Sequence, residues 1–170
     1  MNPARFFWGP HSGLAALVAG TAFAVDQIHK WIMIHVVEIG RRGIIEITPF
    51  FDFVMVWNPG VSYGLFQQDT ARGQAALVLL NVGIAIALWV WLSRMTERFQ
   101  VVSVALVVGG ALGNALDRVL YGAVADFFHL HAFGWSWYVF NIADIAIVAG
   151  VAGLLYDSFR PGHKSAPKGD

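Results

Sequence analysis

VVSVALVVGGALGNALDRVLYGAVADFFHLHAFGWSWYVFNIADIAIVAG, residues 101–150, decides the fold. Val101–Leu120 is apolar until Asp117 and Arg118, and a second apolar run, Tyr138–Tyr156, carries Asp144 as its only charge. A membrane-crossing helix needs about 20 mostly apolar residues. The stretch therefore reads as two spans joined by the loop Tyr121–Trp137. Phe127, Phe128, Phe133, Trp135 and Trp137 in that connection suit a membrane–water interface, and it is expected to be a loop. One run leads into the connection and the other returns from it. Asn114, Asp117 and Arg118, then Asp126, then Asn141 and Asp144 thus share one depth.

Two more spans lie upstream. Ala75–Leu92 has no charge, and Gly13–Val37 is apolar except around Asp26, Gln27, His29, Lys30 and His35. Arg5, the apolar run and Ala22-Phe23-Ala24 resemble a cleavable signal peptide. Apolar character resumes from Trp31 to Val37, so an uncleaved span is the preferred reading. Four spans place both termini on one side. Six basic residues (Arg5, Arg94, Arg98, Arg160, Lys164, Lys168) share that side, against Arg41, Arg42 and Arg72 opposite. This bias puts the termini inside. It also puts Asp26, Lys30 and Asn58 at the outer depth of the other polar residues. Between the first two spans, Ile44–Trp57 is rich in β-branched and aromatic residues, punctuated by Pro49 and Asn58-Pro59-Gly60. Two or three short antiparallel strands are expected over 44–67. The expected architecture is an all-α membrane protein: four transmembrane helices (13–37, 75–92, 101–120, 138–156) with a small outer β cradle. Residues 1–160 form one domain, and 161–170 a disordered tail.

Composition agrees. Of 170 residues, 57% are hydrophobic and 13% charged, about half the charge of an ordinary soluble domain. Formal net charge is zero, which argues against a nucleic-acid partner. There is no cysteine, so disulfides, thiolate metal sites and a cysteine nucleophile are excluded.

Charges inside spans are costly and usually face a protein interior or an aqueous cavity. Two neighbouring carboxylates can share a proton: one activates water while the other polarises a carbonyl. The candidates are Asp26, Asp117, Asp126 and Asp144. Asp26 and Lys30 stand one helical turn apart and can pair. Asp117 adjoins Arg118. Asp126 and Asp144 have no sequence-local cation, which favours them as an unneutralised pair while leaving a structural role open.

Five pieces then occur in order: Asp26-Gln-Ile-His-Lys30, Asn58-Pro-Gly-Val-Ser-Tyr-Gly64, Gly109-Gly-Ala-Leu-Gly-Asn-Ala-Leu-Asp-Arg118, Gly122-Ala-Val-Ala-Asp-Phe127 and Phe140-Asn-Ile-Ala-Asp144. Together they resemble lipoprotein signal peptidase, or signal peptidase II. The resemblance implies an aspartic peptidase of the bacterial inner membrane, built from four transmembrane helices, a small β-sheet cradle and an extracytoplasmic loop or short helix between helices 3 and 4, with its active site at the extracytoplasmic face. Its substrate would be a diacylglyceryl-modified prolipoprotein, cut on the amino side of the lipidated cysteine. It implies Asp126 and Asp144 as the catalytic pair. Asn58, Gly60, Asn114, Arg118 and Asn141 become substrate-binding or dyad-supporting residues, and Asp26, Lys30 and Asp117 structural ones. No cofactor or metal is expected; the partners are the lipidated substrate and membrane lipid, and the chain is expected as a monomer.

Other readings remain at this stage. A small proton or ion transporter would use Asp26, Asp117 and Asp144 as a relay; a non-catalytic assembly subunit would cleave nothing alone. Gly60-Val-Ser62-Tyr-Gly64 fits a nucleophile-elbow pattern but lacks the α/β sheet that gives it meaning. Gly109, Gly110, Ala111 and Gly113 read as a close helix-packing face, and Asn81 as an interhelical hydrogen-bonding amide. His129 and His131 lack a third metal ligand in motif spacing.

Overall fold

The computed structural model describes residues 7–60, 68 and 70–160. Ser62, the end of the expected cradle and the 161–170 tail lie outside the described residues.

Helix α1, Ser12–Trp31, runs unbroken through Ala22–Ala24 and continues into a π-helical turn, Ile32–Val36. Glu38, with φ 49°, turns the chain into the short helix α2, Ile39–Arg42. Strands β1, Ile45–Thr48, and β2, Phe51–Asn58, follow as an antiparallel pair. Helix α3, Ala71–Leu92, begins where the Thr70 hydroxyl accepts from Gly73 N at 3.1 Å, satisfying one of the unpaired amides of the first turn. Helix α4, Arg98–Tyr121, stops at Gly122, whose φ of 72° needs a residue without a Cβ.

The connection after α4 corrects the expected loop or short helix. It is strand β3, Val124–Ala132, with the short strand β4, Trp135–Ser136. β3 pairs antiparallel with β2, giving the sheet order β1-β2-β3-β4. The cradle is thus built from both the α1–α3 connection and the one that follows α4, and the fold is mostly helical with a sheet, not all-α. The strand has no clean polar alternation because both faces are covered near its start, where Val124 to Phe127 are buried. Helix α5, Ile142–Ser158, begins four residues later than expected. Phe140 instead exchanges backbone hydrogen bonds with Phe128, and Asn141 closes a capping box with Asp144.

Helix α4 is central and packs against α1, α3 and α5. The expected small-residue face permits this. A Cβ on Gly109 would lie 2.5 Å from the Ala19 carbonyl oxygen of α1, and one on Gly110 would strike the Ala143 carbonyl of α5. At one end of the bundle, Ala15, Ala85, Leu92, Val101 and Val104 form a core; at the other, Met33, Ile39, Ala125 and Phe127 pack beneath the sheet. By length and composition, α3 and α4 can each cross a membrane. The outer surfaces of α1, α3 and α5 expose Leu17, Val25, Leu79, Leu80, Val148 and Leu155. Water would not solvate that much aliphatic surface without cost.

Candidate active site

The polar residues gather where the sheet meets the ends of α1, α4 and α5, in two linked groups. The first is a buried ion triad. Lys30 Nζ lies 2.8 Å from Asp26 Oδ2 and 2.6 Å from Asp117 Oδ2, with all three side chains almost fully buried. The carboxylates also tie in backbone: Asp26 Oδ1 accepts from Ala143 N at 2.9 Å, and Asp117 Oδ2 from Ala125 N at 3.2 Å. Gln27 Nε2 donates to both carboxylates and to the Gly113 carbonyl. One cation therefore holds α1, α4, the start of β3 and the start of α5 together. Removing one member of such a buried set costs about 3–5 kcal/mol.

Asp117 is paired with Lys30, not with its neighbour Arg118. Adjacent helical residues point about 100° apart, so Asp117 faces α1 while Arg118 faces the end of β2. There Arg118 Nη2 donates to the Gly60 carbonyl at 2.6 Å and Nη1 to the Asn114 carbonyl at 3.1 Å.

The second group contains the nominated aspartates. Asp126, on β3 opposite Val56, is 2% exposed. Its Oδ1 accepts from Asn141 Nδ2 at 2.6 Å and its Oδ2 from Asn58 Nδ2 at 3.2 Å. Asp144, in the first turn of α5, accepts at Oδ1 from Asn114 Nδ2 at 2.9 Å. Its Oδ2 accepts from Asn141 N at 3.3 Å. Asn141 thus touches both carboxylates, by side chain and by backbone. Asn114 joins the two groups: its Oδ1 accepts from Lys30 Nζ at 3.3 Å and from Asn141 Nδ2 at 3.2 Å. Asn58 Oδ1 accepts from Gly60 N at 3.1 Å, so Gly60 is fixed through both its amide and its carbonyl.

Burial pushes Asp126 up to about 7; the nearby Asp144 charge adds to this, while the Asn141 and Asn58 hydrogen bonds oppose it. A carboxyl group that holds its proton near neutral pH beside a second carboxyl is equipped for acid–base chemistry. The amide partners fix both groups without neutralising them. The seven residues nominated from sequence as catalytic or supporting therefore lie in one hydrogen-bonded set, joined through Asn114 to Lys30, Asp26 and Asp117.

A cavity of about 250 Å³ opens on Asp144, lined also by Asn58, Gly60, Asn114, Arg118 and Tyr138. Asn81 of α3 lines it too. A lone amide in an apolar run signalled that position, but sequence alone gave it no neighbour. A larger cleft of about 840 Å³ runs between α3 and α4 and shares Arg118 with the first. Gln74, 6% exposed, stands on its wall and donates to the Pro59 and Gln68 carbonyls at 2.6 and 2.7 Å. It holds the backbone just beyond Asn58, a task with no signal in the sequence.

Residues 18–160 match the family model of signal peptidase (SPase) II. The chain is 52% identical over 159 residues to the lipoprotein signal peptidase of Methylorubrum extorquens (strain PA1), covering 94% of this chain and 91% of that one. It is 44% identical over 162 residues to that of Rhodopseudomonas palustris (strain ATCC BAA-98 / CGA009), covering 93% and 94%. A bacterial membrane enzyme solved by the in meso method at 2.3 Å resolution superposes with a TM-score of 0.75 at 30% identity. That match covers 91% of this chain and 94% of the other.

Proposed function

The chain belongs to the signal peptidase II family, and we propose that Asp126 and Asp144 are the pair with which it hydrolyses its substrate. It is a bacterial membrane aspartic peptidase that removes signal peptides from prolipoproteins. The single observation behind the site assignment is Asn141, which binds Asp126 through its side chain and Asp144 through its backbone amide. The ionised member of the pair takes a proton from water. The protonated member donates to the scissile carbonyl oxygen. The tetrahedral gem-diol then collapses as a proton reaches the leaving nitrogen. Which aspartate carries the proton is a property of the pair, since coupled groups titrate together.

The finer reading concerns substrate and setting. The four helices α1, α3, α4 and α5 span the inner membrane, with both termini cytoplasmic and the sheet at the outer surface. Residues 1–160 act as one domain, and the chain works as a monomer. The apolar outer faces of α1 and α5 support this arrangement, since they match that of α3. The substrate is a diacylglyceryl-modified prolipoprotein whose acyl chains stay in the bilayer. Its peptide enters beside Arg118, between α3 and α4, where the larger cleft meets the cavity over Asp144. Asn58, Gly60, Asn114, Arg118 and Asn141 orient the peptide and the dyad, and Asp26, Lys30 and Asp117 hold the helix ends.

A gel-shift assay with purified protein and a diacylglyceryl prolipoprotein tests this. Wild-type protein converts it, and a substrate left unlipidated is not converted. Asp126→Asn and Asp144→Asn each remain folded and leave the precursor intact. Full conversion by either variant would remove that aspartate from the catalytic pair.

A further inference from the structure

His129 and His131 are the remaining unexplained pair of the outer connection. Alternation along β3 puts both on one face, and the strand register sets Asp52 of β2 directly opposite His129. The sheet thereby supplies the third ligand that linear spacing lacks. One ligand atom from each of the three side chains lies within 4.8 Å of the others. Asp52 Oδ2 is 2.8 Å from His131 Nε2 and 3.4 Å from His129 Nδ1. The two imidazoles stack with centroids 5.1 Å apart.

Ion pairing leaves two features of this cluster unaccounted for. Asp52 is 6% exposed, yet its Oδ1 has no hydrogen-bond partner among the described residues. His131 Nε2 is buried and close to Asp52, yet lies outside hydrogen-bonding alignment. Buried polar atoms left in this state are costly, and a cation held by the Asp52 carboxylate would give His131 Nε2 a partner and compensate the buried charge of Asp52. A tetrahedral ion with bonds of about 2.0–2.1 Å needs ligand atoms about 3.3 Å apart; the observed separations bracket that value. His129 also has the partner that a metal-bound imidazole requires: its far nitrogen, Nε2, lies 2.7 Å from Ser136 Oγ of β4.

We propose that Asp52, His129 and His131 form a zinc(II) site that clamps β2 to β3 at the outer end of the sheet. Two imidazole nitrogens and one carboxylate oxygen are a zinc donor set with a fourth position open to water. Magnesium and calcium prefer all-oxygen sets. Strand alternation points these ligands away from the face that carries Asp126. The ion therefore holds the strand that presents Asp126, and takes no part in hydrolysis.

The test uses full-length protein without a histidine tag, stripped with a chelator and titrated with Zn²⁺, with Mg²⁺ as the control. One zinc binds per chain, and Tm rises with zinc concentration. Co²⁺ in its place gives the intense visible absorption of a four-coordinate site. Asp52→Asn and His131→Ala each weaken zinc binding by at least about 100-fold, and Ser136→Ala by about 10-fold. Prolipoprotein cleavage by the same samples shows that the variants are folded; Asp52→Asn preserves shape should the histidine variant misfold. Absence of saturable zinc binding to the wild-type chain, or an affinity unchanged in Asp52→Asn, would overturn the proposal.

Discussion

Asn141 does three things at once: it caps α5, binds Asp126 through its side chain, and gives its backbone amide to Asp144. Asn58 makes the simpler contact, a single hydrogen bond to Asp126 Oδ2. That bond favours the ionised carboxylate and holds Asp126 below where burial alone would put it. The working pair carries one proton, so activity falls on the alkaline side as that proton leaves, at an apparent pKa near the value of about 7 for Asp126. Removing the Asn58 amide raises the pKa, because the ionised form loses its donor. The pH profile of kcat/KM for Asn58→Ala therefore has its alkaline limb at higher pH than wild type. A limb moved to lower pH would mean that Asn58 stabilises the protonated group. Elimination by sequence-local cations nominated this pair on a partly wrong premise. Asp26 does pair with Lys30, but Asp117 pairs with that same lysine instead of with Arg118. Sequence neighbours on a helix point apart, and the true partner lies on another helix.

Among the elements, the helices were legible and the sheet only half so. Runs such as Ala75–Leu92 carry no charge and are apolar apart from Asn81, and their length identifies them. β3 was hidden because its aromatics fit an interfacial loop equally well, and its partner β2 lies far away in sequence. The late start of α5 has the same origin, since Phe140 bonds to β3 instead of extending the helix. The α4–α5 contact depends on Gly110, where a Cβ would meet the Ala143 backbone carbonyl rather than a flexible side chain. Gly110→Ala therefore forces the helices apart, at a cost of about 1–3 kcal/mol. It also displaces the turn that carries Asp144. Thermal unfolding in detergent should show a clear drop in Tm, with cleavage impaired. Gly83→Ala, in α3 with nothing within 4 Å of the added carbon, should leave both unchanged or raise Tm. Equal behaviour of the two variants would contradict the packing account.

At the scale of the molecule, one topology places the strand bearing Asp126 after α4 and puts Asp144 at the start of α5. The depth argument from sequence anticipated that meeting, because each residue could be placed on a span direction without knowing any contact. It could not supply the cavity, whose wall includes Asn81 from the charge-free run of α3, Ala75–Leu92. Orientation is open to direct test because the chain has no cysteine. A cysteine at exposed Thr48 should react with an impermeant maleimide on cells whose inner membrane is intact, and one at exposed Ser158 only after permeabilisation. The reverse pattern would invert the protein. The central claim is that strand and helix deliver two aspartates that act as one unit on one water. The most direct measurement is the single-turnover cleavage rate of Asp126→Asn, Asp144→Asn and the double variant on lipidated prolipoprotein. The account predicts a loss on the order of 10³-fold in each single variant, and a double variant no slower than the slower single one. Losses that multiply in the double variant, or a single variant at the wild-type rate, would contradict it.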